Sequence, residues 1–184
     1  AGMPCVSVPG ASLVDYCIKN DIAYDVLPGA NAILTAYAMS GFPHTTFSFY
    51  GFLDHKGVSR ASKLNDALND DKLAILYESP HRLLKLLEEL SIKDANRTIF
   101  LAKEITKLHQ NSYKDTSLNL FNKFKDINIK GEWVVVIKPK ETIGFNLDLN
   151  DIQNLDIAPK IKAKLIAKMT GQSIKDVYQE LLGN

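Results

Sequence analysis

The sequence has 184 residues, 46% of them hydrophobic and 23% charged, with a net charge of only +1. That length and balance suit one globular domain with a small appendage, and they exclude a strongly basic nucleic-acid coat or a disordered polyelectrolyte. Two cysteines, Cys5 and Cys17, and four histidines show no disulfide framework or metal-ligand spacing, so a reducing cytosolic setting and no metal are expected. No apolar run approaches a membrane span, and the N-terminus lacks signal-peptide features. The opening Ala1-Gly2-Met3-Pro4-Cys5-Val6 reads as the interior of a loop, so the chain is expected to be part of a longer protein.

In chain order, Leu13, Val14, Cys17 and Ile18 recur at helical spacing after Pro9-Gly10. Residues 23–27 read as a strand halted by Pro28-Gly29, and residues 30–40 as an alanine-rich helix stopped at Gly41. A β-branched and aromatic run at 46–51 predicts a strand, and an amphipathic run at 59–68 a helix. The continuous apolar run 73–77 suits a strand covered on both faces. Ser79-Pro80 then marks a helix start, with Ser79 as cap, running to residue 90. Strands follow at 98–102 and 133–137, separated by a short helix at 117–124. Strand-helix alternation of this kind predicts an α/β fold, a five-stranded mixed sheet flanked by helices.

Residues 140–149 read as a linker, giving an α/β domain at 1–140 and a linker with a helical extension at 141–184. Helices are expected at 159–169 and 173–182, a helix-turn-helix-like pair. Lys160, Lys164 and Lys168 stand four apart as a basic stripe, with Ile161, Leu165 and Met169 as an apolar stripe beside it. The stripe is either a solvated face or a phosphate-tracking surface.

Three polar corners stand at predicted strand ends. Leu27-Pro28-Gly29-Ala30-Asn31-Ala32 leads from strand to helix, where glycine admits close approach and free amides suit an acceptor. A plain strand-to-helix turn is the alternative. Tyr77-Glu78-Ser79-Pro80-His81-Arg82 crowds a phenol, carboxylate, imidazole and guanidinium, and could equally be a capped helix with solvated charges. Ala102-Lys103-Glu104-Ile105-Thr106-Lys107 could be a salt-bridged turn or a contact to RNA. Residue types alone support a ligand cleft at the edge of an α/β sheet.

These blocks, with Ala1-Gly2-Met3-Pro4, Gly51-Phe52-Leu53 and Lys130-Gly131-Glu132, resemble in order and spacing the ribosomal RNA small subunit methyltransferase I family of the tetrapyrrole methylase superfamily. The resemblance runs from the first residue to about Lys138. It departs at Val8, where the family often has aspartate, and the chain begins after the family's usual Ser-Asp. The resemblance implies a two-domain enzyme that binds S-adenosylmethionine between its domains, of which this chain holds one wall. It implies cofactor contacts at Met3, Pro28, Gly29, Ala32, Ile33, Tyr77, Ala102 and Trp133. The implied reaction is methyl transfer to the ribose 2'-hydroxyl of a cytidine in 16S rRNA of the small ribosomal subunit. Glu78 and Glu104 are then candidate proton acceptors, with salt-bridging as their alternative, and Lys56, Arg60, Arg82, Lys103 and Lys107 are candidate RNA phosphate contacts. A cytoplasmic homodimer without a metal is expected. A tetrapyrrole C-methyltransferase, or a non-catalytic RNA- or partner-binding module, are the competing readings.

Overall fold

A computed structural model describes residues 2–7, 9–140 and 148–182. The chain divides into two compact units, Ala1–Lys140 and Glu141–Asn184.

The first unit is built on five strands, β1 (Phe47–Phe52), β2 (Leu73–Glu78), β3 (Thr98–Lys103), β4 (Asn111–Thr116) and β5 (Trp133–Ile137), in the order β1-β2-β5-β3-β4. β1 and β2 are parallel, whereas β5 runs antiparallel to both β2 and β3, and β4 antiparallel to β3. The mixed sheet expected from strand-helix alternation is therefore present. Alternate residues of its central strands enter two cores, as a period of two requires. Ala74, Leu76, Ile99, Leu101, Val135 and Ile137 face one side, and Leu73, Ile75, Phe100, Ala102, Val134 and Val136 the other.

Helices α3 (Gly57–Asn69), α4 (Pro80–Lys93) and α5 (Ser117–Phe124) cover the first side. In α4, Leu83, Leu86, Leu87 and Leu90 repeat at 3, 1 and 3 residues, a single buried stripe. Helix α2 (Ala32–Ser40) covers the second side through Ile33 and Ala36. The Asn31 side chain caps it by accepting from the amides of Ile33 and Leu34, and Gly41 ends it in the left-handed region at φ 60°. The Ser79 side chain makes no cap bond to α4. Its backbone amide donates instead to Glu78 Oε1 at 2.8 Å.

Two expectations are corrected. Residues 23–27 are not a strand: the segment has no regular structure, and Tyr24, Val26 and Leu27 are exposed, Leu27 by 75%. Strand-forming side chains make a strand only where another strand pairs with the backbone, and no described strand lies beside this segment. The helix before it, α1 (Ala11–Lys19), buries no residue. The fifth strand is β4, which the sequence did not announce because Asn111–Thr116 carries no apolar alternation. It is an edge strand, held to β3 by its ladder and by Tyr113 packing on Phe124 and Trp133. Polar edge strands of this sort block unwanted pairing.

The second unit holds α6 (Leu149–Asn154), α7 (Pro159–Thr170) and α8 (Ile174–Leu182). Its core is Ile152, Ala163, Ile166, Ala167 and Val177, with Tyr178 and Leu181 packed against it. Gly171 turns between α7 and α8 at φ 75°. Ile161, Leu165 and Met169 are exposed, so the stripe read from the sequence is not the face that α7 buries. Of the linker expected at 140–149, residues 141–147 lie outside the described residues, while Asp148 caps α6 and Leu149 begins it.

Arg97 rivets the end of the sheet at which β3 begins. Its guanidinium donates to the carbonyls of Leu68 and Lys138 and pairs with Asp94 at 2.9 Å. Replacing a buried donor leaves carbonyls unpaired, so Arg97→Met should lower unfolding free energy by about 2–3 kcal/mol. Urea denaturation of the two proteins measures this, and an unchanged midpoint would remove the rivet from the account.

Candidate functional site

The sheet's directionality creates the site. Because β5 is antiparallel to both neighbours, its first residue Trp133 pairs with Glu78 at the end of β2 and with Lys103 at the end of β3. Phe52 at the end of β1 pairs with Tyr77. The loops that follow three strands thus converge beside the loop that precedes β5. Above them lies a cavity of about 560 Å³. Drug-sized pockets occupy roughly 300–1,000 Å³, so a nucleoside-sized ligand fits by volume.

The wall nearest α2 comes from two loops that touch backbone to backbone. The Met3 amide donates to the Ala30 carbonyl at 3.0 Å. A Cβ on Gly2 would stand 3.0 Å from that carbonyl oxygen, and one on Gly29 would stand 3.4 Å from the Met3 nitrogen. Met3, Ala30, Asn31, Ala32 and Thr35 line the cavity from this side. Aromatic rings form another part: Tyr77 packs edge-on to Phe49 at 5.1 Å and tilts against Phe52 at 5.5 Å. Burial, and then the nearby charge of Glu132, push the Tyr77 phenol above its usual range, so it stays neutral.

The third part is a clamped turn. Glu104 sits at φ 50° and Thr106 at φ 65°, both in the left-handed region. Glu104 Oε1 accepts from the Glu132 amide at 2.8 Å and from Lys107 Nζ at 3.0 Å, while Lys107 Nζ also reaches Glu132 Oε2 at 2.7 Å. Gly131 must be glycine here: φ is 86°, and a Cβ would stand 2.7 Å from Glu104 Cγ. Ile105, Thr106, Lys107 and Glu132 line the cavity as a result.

Of the cofactor candidates, Met3, Ala32, Tyr77 and Trp133 line this cavity. Ile33 and Ala102 do not, because their side chains lie buried in the core beneath α2. Pro28 and Gly29 lie behind the wall, where Gly29 lets Met3 approach. Phe52, Ile105, Thr106 and Glu132 line the cavity as well, from within the motif blocks but outside the contacts that the resemblance implied.

The candidate carboxylates are both engaged. Glu78 is buried, and its Oε1 accepts from the Ser79 amide and from Arg82 Nε and Nη2, each at 2.8 Å. Its Oε2 makes no hydrogen bond and stands 3.8 Å from Arg60 Nη1. Arg60 itself is 3% exposed, forked onto Glu89 and bonded to the Asp54 carbonyl. Arg82 also donates to the Leu53 carbonyl. Arg60 and Arg82, expected as phosphate contacts, thus serve as internal cross-links, Arg60 fully buried and Arg82 with its side chain 17% exposed. Lys107 is held between two carboxylates, and Lys103 lies over the Trp133 ring at 5.9 Å. Lys56 is exposed at the start of α3. Among the described residues, no three His, Cys, Asp or Glu side chains cluster as a metal site, and no helix is long and apolar enough to cross a membrane.

With this geometry in place, comparison with known proteins becomes decisive. Residues 1–120 match the family model of tetrapyrrole (corrin/porphyrin) methylases. Ribosomal RNA small subunit methyltransferase I of Campylobacter fetus subsp. fetus is 43% identical over 183 residues, covering 99% of this chain and 68% of that protein. The chain belongs to the ribosomal RNA small subunit methyltransferase I family of tetrapyrrole methylases. The Helicobacter pylori J99 member is 42% identical over 99% of this chain and 65% of its own length. The chain thus spans about two thirds of the curated relatives it matches. Solved structures share the fold. The methyltransferase CobJ superposes with a TM-score of 0.54 at 21% identity over 76% of this chain and 62% of CobJ. A diphthine synthase superposes at 0.57 and 16% identity, over 76% of this chain and 57% of its own.

In this family member the clamped turn should titrate. The Glu132 backbone hydrogen bond first, and then Lys107, hold the Glu104 carboxyl below the usual carboxylate range. Hydrogen bonds to Glu132 and Glu104 raise the Lys107 ammonium above its usual range. A lowered carboxyl contributes stability that is present above its unfolded value and lost as pH falls through the folded one. The raised ammonium contributes below its unfolded value and loses that contribution as pH rises through the folded one. Glu104→Gln should therefore flatten the acid limb, with wild type losing more urea resistance than the variant between neutral and acidic pH. Parallel pH profiles would show that the clamp adds nothing.

Proposed function

We propose that this chain forms one wall of the S-adenosylmethionine site of a cytoplasmic, homodimeric enzyme that methylates the ribose 2'-hydroxyl of a cytidine in 16S rRNA. The observation that carries this reading is the coincidence of the family's motif blocks with the lining of one cavity at the strand ends. The family's names support rRNA as the substrate. The remaining third of the relatives' length is available to form the opposite wall.

The residues present fit the methyl donor. The cavity has the volume for it, the Phe52 and Tyr77 rings offer an apolar floor, and the glycines at 2 and 29 bring backbone close to the space. Met3, Ala32, Tyr77 and Trp133 would hold the group. When bound, it supplies an electrophilic methyl on a sulfonium. Tyr77, kept neutral, presents an aromatic face that favours a cation. The strand-end loops exclude water and fix the approach direction, which lowers the barrier through orientation. Glu78 and Glu104 act as positioning residues, each locking one corner through Arg82 or Lys107. Each does so through one oxygen; Glu78 also lines the cavity and its Oε2 makes no hydrogen bond, so it stays the candidate acceptor for the ribose proton. Lys56 and Lys103, which form no ion pair among the described residues, are the candidate RNA contacts of the first unit, whereas Lys107 lines the cavity between two carboxylates.

Two measurements test this. Full-length enzyme incubated with labelled donor and small ribosomal subunits lacking the modification should place label on a cytidine ribose. Label on a base, or transfer to a tetrapyrrole but not to rRNA, would overturn the substrate assignment. For the wall, Tyr77→Leu should weaken S-adenosylmethionine by about fivefold more than neutral S-adenosylhomocysteine, since a cation over an aromatic face is worth about 1 kcal/mol. Equal losses in calorimetry would detach Tyr77 from the sulfonium.

A further inference from the structure

Several cations of the first unit are spent inside it. Arg60, Arg82, Arg97 and Lys107 are each tied to carboxylates or carbonyls. Helix α7 is the opposite case. It carries four lysines and no acid, and it lies outside the segment matched by the family model, which ends at residue 120.

Lys162 is spent on the Gln153 carbonyl at 2.7 Å. Lys160, Lys164 and Lys168 are exposed, and none has an ion-pair partner among the described residues. A helix rises about 1.5 Å per residue, so these ammonium groups succeed one another every ~6 Å along one face. The described acids of this unit stand at α6, where Asp148 and Asp151 cap the helix through each other, on α8, and at Asp156 in the turn before α7, and none forms an ion pair with Lys160, Lys164 or Lys168. Repulsion within a row of like charges destabilises a helix by a few tenths of a kcal/mol per pair, so an uncompensated row is no aid to folding.

The neighbouring face sharpens the choice of occupant. Ile161, Leu165 and Met169 are exposed beside the lysines. The one aromatic residue among the described residues of this unit, Tyr178, packs against its core. A face with cations and aliphatic side chains but no ring offers no stacking platform for bases. It suits a regular anionic backbone contacted without regard to sequence.

We propose that the α7 face formed by Lys160, Lys164 and Lys168 docks the RNA phosphodiester backbone, a sequence-independent hold that leaves selection of the nucleotide to the strand-end cavity. This rests on the rRNA substrate proposed above.

The test uses the full chain, a short fluorescent RNA of mixed sequence and purified small ribosomal subunits, titrated at several salt concentrations. K160Q/K164Q/K168Q should weaken both by about tenfold or more at low salt. It should also reduce the slope of log affinity against log salt by about 2 on the single strand, the release expected from three phosphates. A control with the same charge loss at exposed sites elsewhere, K19Q/K72Q/K125Q, should keep the wild-type slope. K160R/K164R/K168R should keep affinity, because the charges remain. Unchanged affinity and slope in the glutamine variant, equal losses in the control, or no RNA binding by wild type would each overturn the docking face. Failure of the methylation reading shows differently, as RNA docking that survives in an enzyme that neither binds the donor nor modifies rRNA.

Discussion

The antiparallel seating of β5 between β2 and β3 is the constraint on which the rest of this structure depends. β1, β2 and β3 run one way, so their carboxyl-end loops gather at one edge. β5 enters from that edge, and its first residue Trp133 is flanked by Glu78 and Lys103. Were β5 parallel, the Lys130-Gly131-Glu132 loop would stand at the far end of the sheet and the clamp between Glu104 and Glu132 could not close. Ladder hydrogen bonding thus decides which loops share a cavity, and the side chains then decide how firmly each is held.

The corners are held by charge that was moved indoors. Glu78 gathers three donors on one oxygen and faces Arg60 with the other. Burying such groups is costly unless each is matched, and here both arginines are also tied to carbonyls, of Leu53 and Asp54. The arrangement fixes the end of β2 and the start of α4 against α3. It also means that the most conspicuous cations near the cavity are unavailable to an incoming polyanion. The exposed lysines of α7 take no part in this network.

Half of the exposed large apolar residues among the described residues of the first unit fall in one short stretch of the chain. Leu13, Tyr16, Ile18, Ile22, Tyr24, Val26 and Leu27 all lie between α1 and the loop that leads to α2. In a monomeric globular protein so dense a run of exposed apolar side chains marks a surface meant to be covered.

The sequence by itself determined the class of fold, the helices and the motif blocks. Apolar periodicity is local, and Leu83, Leu86, Leu87 and Leu90 declare a buried helix stripe without reference to anything else. Four of five strands were legible because continuous runs such as 73–77 and 133–137 tolerate only burial on both faces. Tertiary structure alone decided the fifth strand. Residues 23–27 have strand-forming side chains and no partner, whereas the polar Asn111–Thr116 has a partner and pairs. Backbone pairing depends on what lies alongside, which no local pattern encodes. The same reason separates the charged residues. Glu78, Arg60 and Arg82 look like surface chemistry in sequence, and only the approach of α3 to the end of β2, which are far apart in the chain, turns them into a buried network. Lys160, Lys164 and Lys168 were equally visible as a stripe, but that none of them pairs with an acid among the described residues is a matter of tertiary structure.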